Sequence, residues 1–403
     1  MKKKVDPVVD EAIETLNMQD GPSRRRLLEG AGLFSATAAA SALIAACSSS
    51  STSSATTSTT SGTATATSTA KAVAGNFPAT PAWQFWFVNH VTTNLFFVPT
   101  QNGMADAAKL LGLPNPKWGG STSSSATEMV SYLNSAIAAK ANGIATTVIT
   151  ATSFTTPVKT AMDAGIPVVS YNADGVVTNG VPDIGTNRLC YVGQALYNSG
   201  VAMGNRIKSL IPTPGNVVIF IATPGSGNIQ PRFDGAASVL KPAGYTLHEI
   251  ATGALTANEA AAEKAYLTGA KSTLKGAFAV DAGSTELLGP ALASTGLAGK
   301  IPAGGFDLTP GTLNAINSGQ INFTIDQEPY LQGFLPVVYL YLFNLTGGLV
   351  VPPNTDTGLT FVTKSNVGPY LNTKTSYEGS ANPPPVLVPR SGPIENPLAT
   401  TSV

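Results

Sequence analysis

The stretch GIATTVITATSFTTPVKTAMDAGIPVVSYNAD, Gly143 to Asp174, sets the fold class of this chain. It holds two short apolar runs, Ala145–Ile149 and Pro167–Tyr171, on either side of an amphipathic segment. This strand–helix–strand order is typical of parallel sheets, in which a helix carries the chain from one strand to the next. Thr156 before Pro157 has the pattern of a helix cap followed by a first-turn proline.

The same alternation extends in both directions from this unit. Glycines at 143, 165 and 244 each precede an apolar run, which predicts a left-handed glycine that ends a helix just before a strand begins. The chain has more predicted strand–helix units than one sheet usually contains, so we expect an α/β protein of two lobes. The other predicted strands are Trp83–Val88, Asn216–Ala222, Ala277–Val280 and Asn322–Asp326.

Composition limits the function classes open to the chain. Its 403 residues carry no net charge, and only 11% are charged, against roughly 25% in an average soluble domain. Without a basic excess, a nucleic-acid partner has no electrostatic support. The length predicts two or three domain-sized units.

The first 47 residues have the features of an export signal. Arg24, Arg25 and Arg26 precede the apolar segment Gly30–Ala46, which is too short to span a bilayer, since that takes roughly 20 residues. The arginines resemble a twin-arginine signal, and the residues that end in Cys47 resemble a bacterial lipobox, which predicts lipidation of Cys47. The alternative is a buried helix with a chance cysteine. If Cys47 is acylated, Cys190 has no partner for an internal disulfide.

The segments that flank the predicted body are of low complexity. Residues 48–80 are rich in Ser, Thr and Ala and are expected to form a disordered linker. Residues 371–403 form a Pro-rich tail. No helix-turn-helix precedes the body, which argues against a repressor.

Motifs for catalysis, cofactors and metals are missing from the sequence. In TPGSGNIQPR the third glycine of a dinucleotide-binding turn is absent after Gly227. The two histidines, His90 and His248, are near no other His or Cys, and no nucleophile elbow accompanies them. We therefore predict no enzyme activity, no catalytic residue, no metal and no cofactor.

Seven motifs, in order along the body, resemble one family. They are NLFFVPTQNGMADAAKLLG, AGIPVVSYNAD, YVGQALYNSGVAMGNRI, IQPRFDGAASVL, GAFAVDAGS, GGFDLTPGTLNAINSG and FTIDQEPYLQGF. With these motifs, residues 83 to 364 resemble the sugar-type periplasmic binding proteins of ABC importers, the ribose-binding-protein-like (type I) family. The resemblance implies two doubly wound parallel-sheet lobes joined by a three-segment hinge, with ligand held between them at the strand ends.

The resemblance also implies domain bounds. The N-terminal lobe is expected at 82–193 plus 328–350, the C-terminal lobe at 194–327, and a closing segment at 351–370. The crossings between lobes are expected near Tyr191–Gln194, Phe306–Thr309 and Thr324–Gln327. A last strand candidate, Leu359–Lys364, has no assigned place.

A sugar has hydroxyls around its edge and C–H groups on its faces, so its site needs hydrogen-bonding side chains and a flat apolar wall. Trp118 is a candidate for a second aromatic wall. At position 173 the chain has Ala where ribose-type proteins carry Arg, so ribose itself is not indicated. The ligand contacts that the resemblance implies are His90, Asn94, Phe96, Phe97, Asn172, Arg232, Asp281, Asp307 and Gln327.

A structural alternative stands beside most of these contacts. Phe96, Phe97 and Trp118 could be core residues, and Asn172 a turn residue. Arg232 could form a surface pair with Asp234, and Asp307 could cap the helix that follows.

The function implied by these features is that of an extracytoplasmic, lipid-anchored receptor for a small neutral sugar or polyol. It would act as a monomer, contact the membrane through its lipid only, and deliver its ligand to an ABC permease by hinge closure. A sensory receptor of the same fold and an exported α/β enzyme are the alternatives.

Overall fold

The computed structural model describes residues 79–175, 177–178, 181–182 and 186–371. The predicted signal segment with Cys47, nearly all of the 48–80 linker and all but the first residue of the tail lie outside these residues. Within them, no helix has both the length and the apolar character that crossing a membrane requires.

Strands and helices alternate through most of the described chain. The strands are β1 (Phe85–Asn89), β2 (Lys117–Gly120), β3 (Gly143–Val148), β4 (Val168–Asp174), β5 (Val177–Thr178), β6 (Val181–Pro182), β7 (Tyr191–Gly193), β8 (Asn216–Ile221), β9 (Thr246–Ala251), β10 (Leu274–Ala279), β11 (Ala303–Phe306), β12 (Phe323–Asp326), β13 (Thr355–Asp356) and β14 (Thr360–Thr363). The helices are α1 (Val98–Leu110), α2 (Ala126–Ala138), α3 (Ala151–Asp163), α4 (Leu196–Leu210), α5 (Gln230–Leu240), α6 (Thr256–Ala270), α7 (Ala282–Thr295), α8 (Pro310–Asn317), α9 (Pro329–Leu345) and α10 (Gly368–Leu371).

The strands build two large sheets, one in each lobe. The first has the order β13-β7-β4-β3-β1-β2 and is parallel throughout. The second has the order β14-β12-β11-β10-β8-β9 and is parallel except for β14, which runs antiparallel to β12. Central strands such as β3 and β10 are buried almost completely, because helices cover both faces of each sheet. The two-lobed α/β prediction and its six listed strands are confirmed.

Close contacts between glycine and backbone fix one helix pair in each lobe. A Cβ atom on Gly200 of α4 would lie 2.1 Å from the Arg232 carbonyl oxygen of α5, and one on Gly235 would lie 2.1 Å from the Tyr197 carbonyl oxygen. In the first lobe, a Cβ atom on Gly333 of α9 would lie 1.9 Å from the Thr100 carbonyl oxygen of α1. Only glycine allows helices to approach this closely.

The chain passes between the sheets three times. It leaves β7 through Gln194, leaves β12 through Gln327, and runs from β13 to β14 through 357–359. The predicted crossing at Phe306–Thr309 is wrong, because β11 and β12 are neighbours in the second sheet and α8 packs within that lobe. The third crossing lies instead in the segment 351–370, and the candidate strand Leu359–Lys364 is β14.

Two local predictions need correction. Helix α3 begins at Ala151, so Pro157 lies inside it and Thr156 is not its cap. Gly165 and Gly244 have positive φ, but before β3 the left-handed residue is Lys140, with φ 52°. Gly143 is needed there for space, since a Cβ atom would lie 2.9 Å from the Leu340 side chain of α9.

Candidate functional site

A cavity of about 70 Å³ lies between the lobes, where strands of both sheets end. A single water needs roughly 10–15 Å³, so the cavity has room for several water-sized groups. The first lobe lines it with His90, Val91, Asn94, Phe96, Phe97, Ser124 and Asn172. The second lobe and the Gln327 crossing complete the wall with Ala222, Thr223, Asn228, Ile229, Arg232, Ala254, Glu259, Asp281, Ala282, Gly283, Asp307 and Gln327. The structure thus brings together every predicted contact except Trp118.

The aromatic wall of the first lobe follows directly after β1. The Asn94 side chain caps a 3₁₀ turn, Leu95–Phe97, and accepts a hydrogen bond from the Phe96 amide at 2.9 Å. The Phe96 and Phe97 rings meet edge to face, with centroids 4.7 Å apart. Both rings belong to the core and also border the cavity, so the core alternative is correct for them and ligand contact stays a prediction.

Trp118 does not reach the cavity. Its indole packs on Phe87 and Phe97, with centroids 6.4 and 6.0 Å away, and its Nε1 donates to the Thr92 carbonyl at 3.3 Å. Trp118 therefore supports Phe97 from behind.

His90 lies between the two lobes. Its Nδ1 is 3.2 Å from Thr147 Oγ1, and its Nε2 is 3.1 Å from Nδ2 of Asn228 in the second lobe. Because Nδ2 of Asn228 can only donate, Nε2 of His90 must accept, and the ring proton resides on Nδ1. Burial lowers the pKa of His90 to about 4, which keeps this neutral tautomer.

Asn172 stands in β4 with a left-handed backbone at φ 61°. Its Nδ2 donates to Gln332 Oε1 at 3.0 Å and lies 3.4 Å from Gln327 Oε1. Asparagine tolerates this conformation better than most residues do. Asn172 thereby links the first sheet to the Gln327 crossing.

Arg232 is the positive charge of the cavity wall. It is 2% exposed; Nη1 donates to the Val280 carbonyl at 3.0 Å and Nη2 to Gln194 Oε1 at 3.1 Å. Its guanidinium lies 4.2 Å from the centroid of the Phe306 ring, a cation–π distance. Nε is buried without a partner among the described residues. The surface-pair alternative fails here, since Asp234 accepts from Gln230 instead.

Asp307 and Asp281 supply the carboxylates. Asp307 has φ 78° and accepts from Gln327 Nε2 at 2.6 Å. Burial raises its pKa to about 6, although Arg232 nearby opposes the rise. Asp307 does not cap α8, whose N-cap is Thr309. Asp281 caps α7 by accepting from the Ser284 amide at 2.9 Å, and it also borders the cavity.

Sequence reasoning missed several lining residues, above all Asn228 and Glu259. Asn228 lies in the loop after β8, where the rule that ligands bind beyond strand ends could have flagged it. Glu259 stands in the first turn of α6 within the run NEAAAEKA, which looks like an exposed helix. Nothing in that run shows that its first carboxyl faces inward.

The described residues hold no group of three or more His, Cys, Asp or Glu side chains arranged to bind a metal. The cavity is enclosed by hydrogen-bonding groups from two lobes and by two aromatic rings. This arrangement is typical of a two-lobed protein that binds a small polar ligand.

Comparison with known proteins agrees with this class. Residues 85–343 match the family model "Periplasmic binding protein domain". The chain is 46% identical over 316 residues to the xylose/arabinose-binding protein XylF of Sulfolobus acidocaldarius, which covers 76% of this chain and 77% of that protein. The chain therefore belongs to the periplasmic binding protein family, and it is a binding protein rather than an enzyme.

Solved structures share the fold. An ABC transporter solute-binding protein from Burkholderia graminis C4D1M, in complex with D-arabinose, is 24% identical with a TM-score of 0.64, over 72% of this chain and 99% of that one. A carbohydrate transporter from Acidothermus cellulolyticus 11B, in complex with myo-inositol, is 25% identical with a TM-score of 0.63, over 72% of this chain and 97% of that one.

Proposed function

We propose that this protein is an extracytoplasmic receptor that captures a small neutral sugar or polyol and delivers it to an ABC permease. The observation that carries the proposal is the interlobe cavity, in which donors and acceptors from both lobes converge beside two aromatic rings. One relative is named a xylose/arabinose-binding protein, and two similar structures are complexes with D-arabinose and with myo-inositol. These names support the same ligand class.

In the proposed complex, each lobe contacts a different side of the ligand. Phe96 and Phe97 face the C–H surface of the ring, and Asn94 and Asn172 bind its hydroxyls. Arg232 and Asp307 bind hydroxyls from the other side, each through a charge-assisted hydrogen bond of about 1.5–3 kcal/mol. A few such bonds support micromolar binding, about −8 kcal/mol, after the costs of association. The ligand stabilises the closed state because only that state offers both sets of contacts.

A thermal-shift screen tests this proposal. D-xylose, L-arabinose, D-arabinose and myo-inositol are the first compounds, because a ligand that binds only the folded form raises the melting temperature with the logarithm of its concentration. We expect at least one of them to raise it. A flat response to all four and to a wider set of pentoses, hexoses and alditols would refute sugar capture.

Membrane attachment is proposed through Cys47, with export by the twin-arginine segment and the body acting as a monomer. Cys47→Ser should release the protein from the membrane fraction, whereas Cys190→Ser should leave it attached. Retention of Cys47→Ser in that fraction would contradict the lipid anchor.

Delivery to a permease is tested by uptake of radiolabelled ligand in cells that lack the gene. We expect the wild-type chain to restore uptake and a variant that no longer binds ligand to fail. Normal uptake in cells without the gene would contradict the transport role.

A further inference from the structure

The carboxyl group of Glu259 borders the ligand cavity but is unaccounted for by the contacts described so far. The residue is 4% exposed, and no described residue donates a hydrogen bond to it. It packs against the start of α7, where a Cβ atom on Gly283 would lie 2.3 Å from Glu259 Oε1. The carboxyl therefore occupies a fitted place in the cavity wall with its hydrogen-bonding capacity unused.

A second buried acid lies one helical turn further along α6. Glu263 is 0% exposed, and neither of its carboxyl oxygens has a partner among the described residues. Side chains four residues apart share one face of a helix, so Glu263 is a direct neighbour of Glu259. Two adjacent carboxylates away from water strongly disfavour double ionisation.

Among the described residues, no cation forms an ion pair with either acid. The ion pairs of the described residues join Lys159 to Asp163 and Arg188 to Asp174, both elsewhere. The charged groups that face Glu259 are Asp281 and Glu286, both acidic, from α7 and its cap, and they add to the effect of burial. Burial, reinforced by the neighbouring acids, raises the pKa of Glu259 to about 8 and that of Glu263 to about 10.

We propose that Glu259 is a further ligand-binding residue, which enters the cavity as a neutral carboxyl group and donates its O–H to an oxygen of the bound sugar. The pKa of Glu263 is raised further than that of Glu259, so Glu263 stays uncharged behind it, and the acids that disfavour a charge on Glu259 are Asp281 and Glu286. The inference rests on the proposed sugar-binding function and deepens it. The site then combines a cation at Arg232, an ionised acceptor at Asp307 and a neutral donor at Glu259.

The proposal predicts a specific pH profile for ligand binding. Loss of the Glu259 proton removes the donor, so affinity should fall as the pH rises through the pKa of this group. For the sugar that gives the largest thermal shift, we expect Kd to increase about tenfold between about pH 7 and pH 9.5 in titration calorimetry. If Glu259 contacts the ligand as an anion, the affinity will stay level or rise over the same range.

Variants identify the group responsible for the profile. Glu259→Gln keeps a neutral donor, so it should bind near the wild-type affinity at pH 7 and lose the dependence above it. Burial also raises the pKa of Asp326 to about 8 at the second crossing, so Asp326→Asn is the matched control and should keep the dependence. Glu259→Ala should weaken binding at every pH by about tenfold, the value of one well-made hydrogen bond.

The outcomes distinguish failure of the Glu259 proposal from failure of the proposed sugar-binding function. If the protein binds sugar but Glu259→Gln shows the same pH dependence of Kd as wild type, the role of Glu259 is overturned and sugar capture is not. The absence of binding by wild-type protein at every pH overturns both. Circular dichroism of each unliganded variant shows whether it folds, and Glu259→Gln keeps the test decisive where Glu259→Ala does not fold.

Discussion

The side chain of Asn228 in the second lobe lies 3.1 Å from Nε2 of His90 in the first, so one hydrogen bond joins the two lobes beside the cavity. Beside it, the Gly227 amide donates to the Ile149 carbonyl at 2.7 Å, again from one lobe to the other. Both bonds join the two lobes. We call the His90–Asn228 bond the interlobe latch.

Removal of the latch should weaken ligand retention, because the bond joins the two lobes beside the cavity. A neutral hydrogen bond contributes about 0.5–1.5 kcal/mol, so Asn228→Ala should raise Kd by about two- to tenfold, mainly through faster release. Stopped-flow displacement measures the release rate. Asn314→Ala, at an exposed position of α8, is the control. Equal release rates for Asn228→Ala and wild type would show that the latch has no energetic role.

The latch should also respond to acid. The pKa of His90 is lowered by burial to about 4 from 6.5, so the closed form resists protonation that the opened form accepts. Closure is therefore fully supported above about pH 6.5 and weakens as the pH falls towards 4. We expect small-angle scattering of the liganded protein to show more open molecules at low pH, and His90→Gln to reduce that change. The same acid response in His90→Gln would assign it to another group, such as Asp307.

The buried acid Glu263 should cost stability at neutral pH. Its pKa is raised in the folded state, so folding is most favourable below the ordinary pKa of 4.5 and loses stability as the pH rises towards about 10. The Glu263→Gln variant has no ionisable group at this position, so it does not lose folding stability in this way as the pH rises. We expect it to raise the melting temperature at pH 7 and to have little effect near pH 4, whereas Glu249→Gln, at an exposed site of β9, changes neither. A lower melting temperature for Glu263→Gln at pH 7 would contradict the assignment.

An alanine in place of Gly200, where α4 and α5 touch, should change the ligand cavity through Arg232. Gly200→Ala forces apart two helices whose backbones touch, at a cost of about 1–3 kcal/mol, and displaces the Arg232 backbone. Both stability and sugar affinity should fall. Gly269→Ala in α6 meets nothing within 4 Å and should stabilise the fold by about 0.5–1 kcal/mol. Chemical denaturation and calorimetry measure both effects.

Much of the fold follows from local sequence. The apolar runs that became β1, β3, β4, β8, β10 and β12 are visible because strands buried on both faces are continuously apolar. The helix start at Ala151 was missed because Pro157 suits a first turn, whereas α3 begins six residues before it. The misplaced crossing at Phe306–Thr309 has another cause, since nothing local distinguishes a loop between lobes from a loop within one.

Some residues of the candidate site could be predicted from the sequence and others could not. Motif order located Asn94, Arg232 and Asp307, which the fold brings to one cavity. Glu259 and Asn228 were missed because their roles depend on which helix face turns inward and on how the lobes meet, neither of which local pattern encodes. For Trp118 the sequence leaves an aromatic wall and a core position open, since an aromatic residue beside a strand end can face the ligand or the core, and the structure shows the core position.

Titration calorimetry of the purified protein and its Asp307→Asn variant with D-xylose, the arabinoses and myo-inositol tests sugar capture most directly. The variant keeps the shape and the hydrogen-bonding capacity of the side chain but removes a charged acceptor. We predict binding in the micromolar range by wild type, a loss of about ten- to a hundredfold in the variant, and unliganded melting temperatures that stay close. Wild-type protein that binds neither these compounds nor a wider set of pentoses, hexoses and alditols, or a variant that binds as tightly as wild type, would contradict the account.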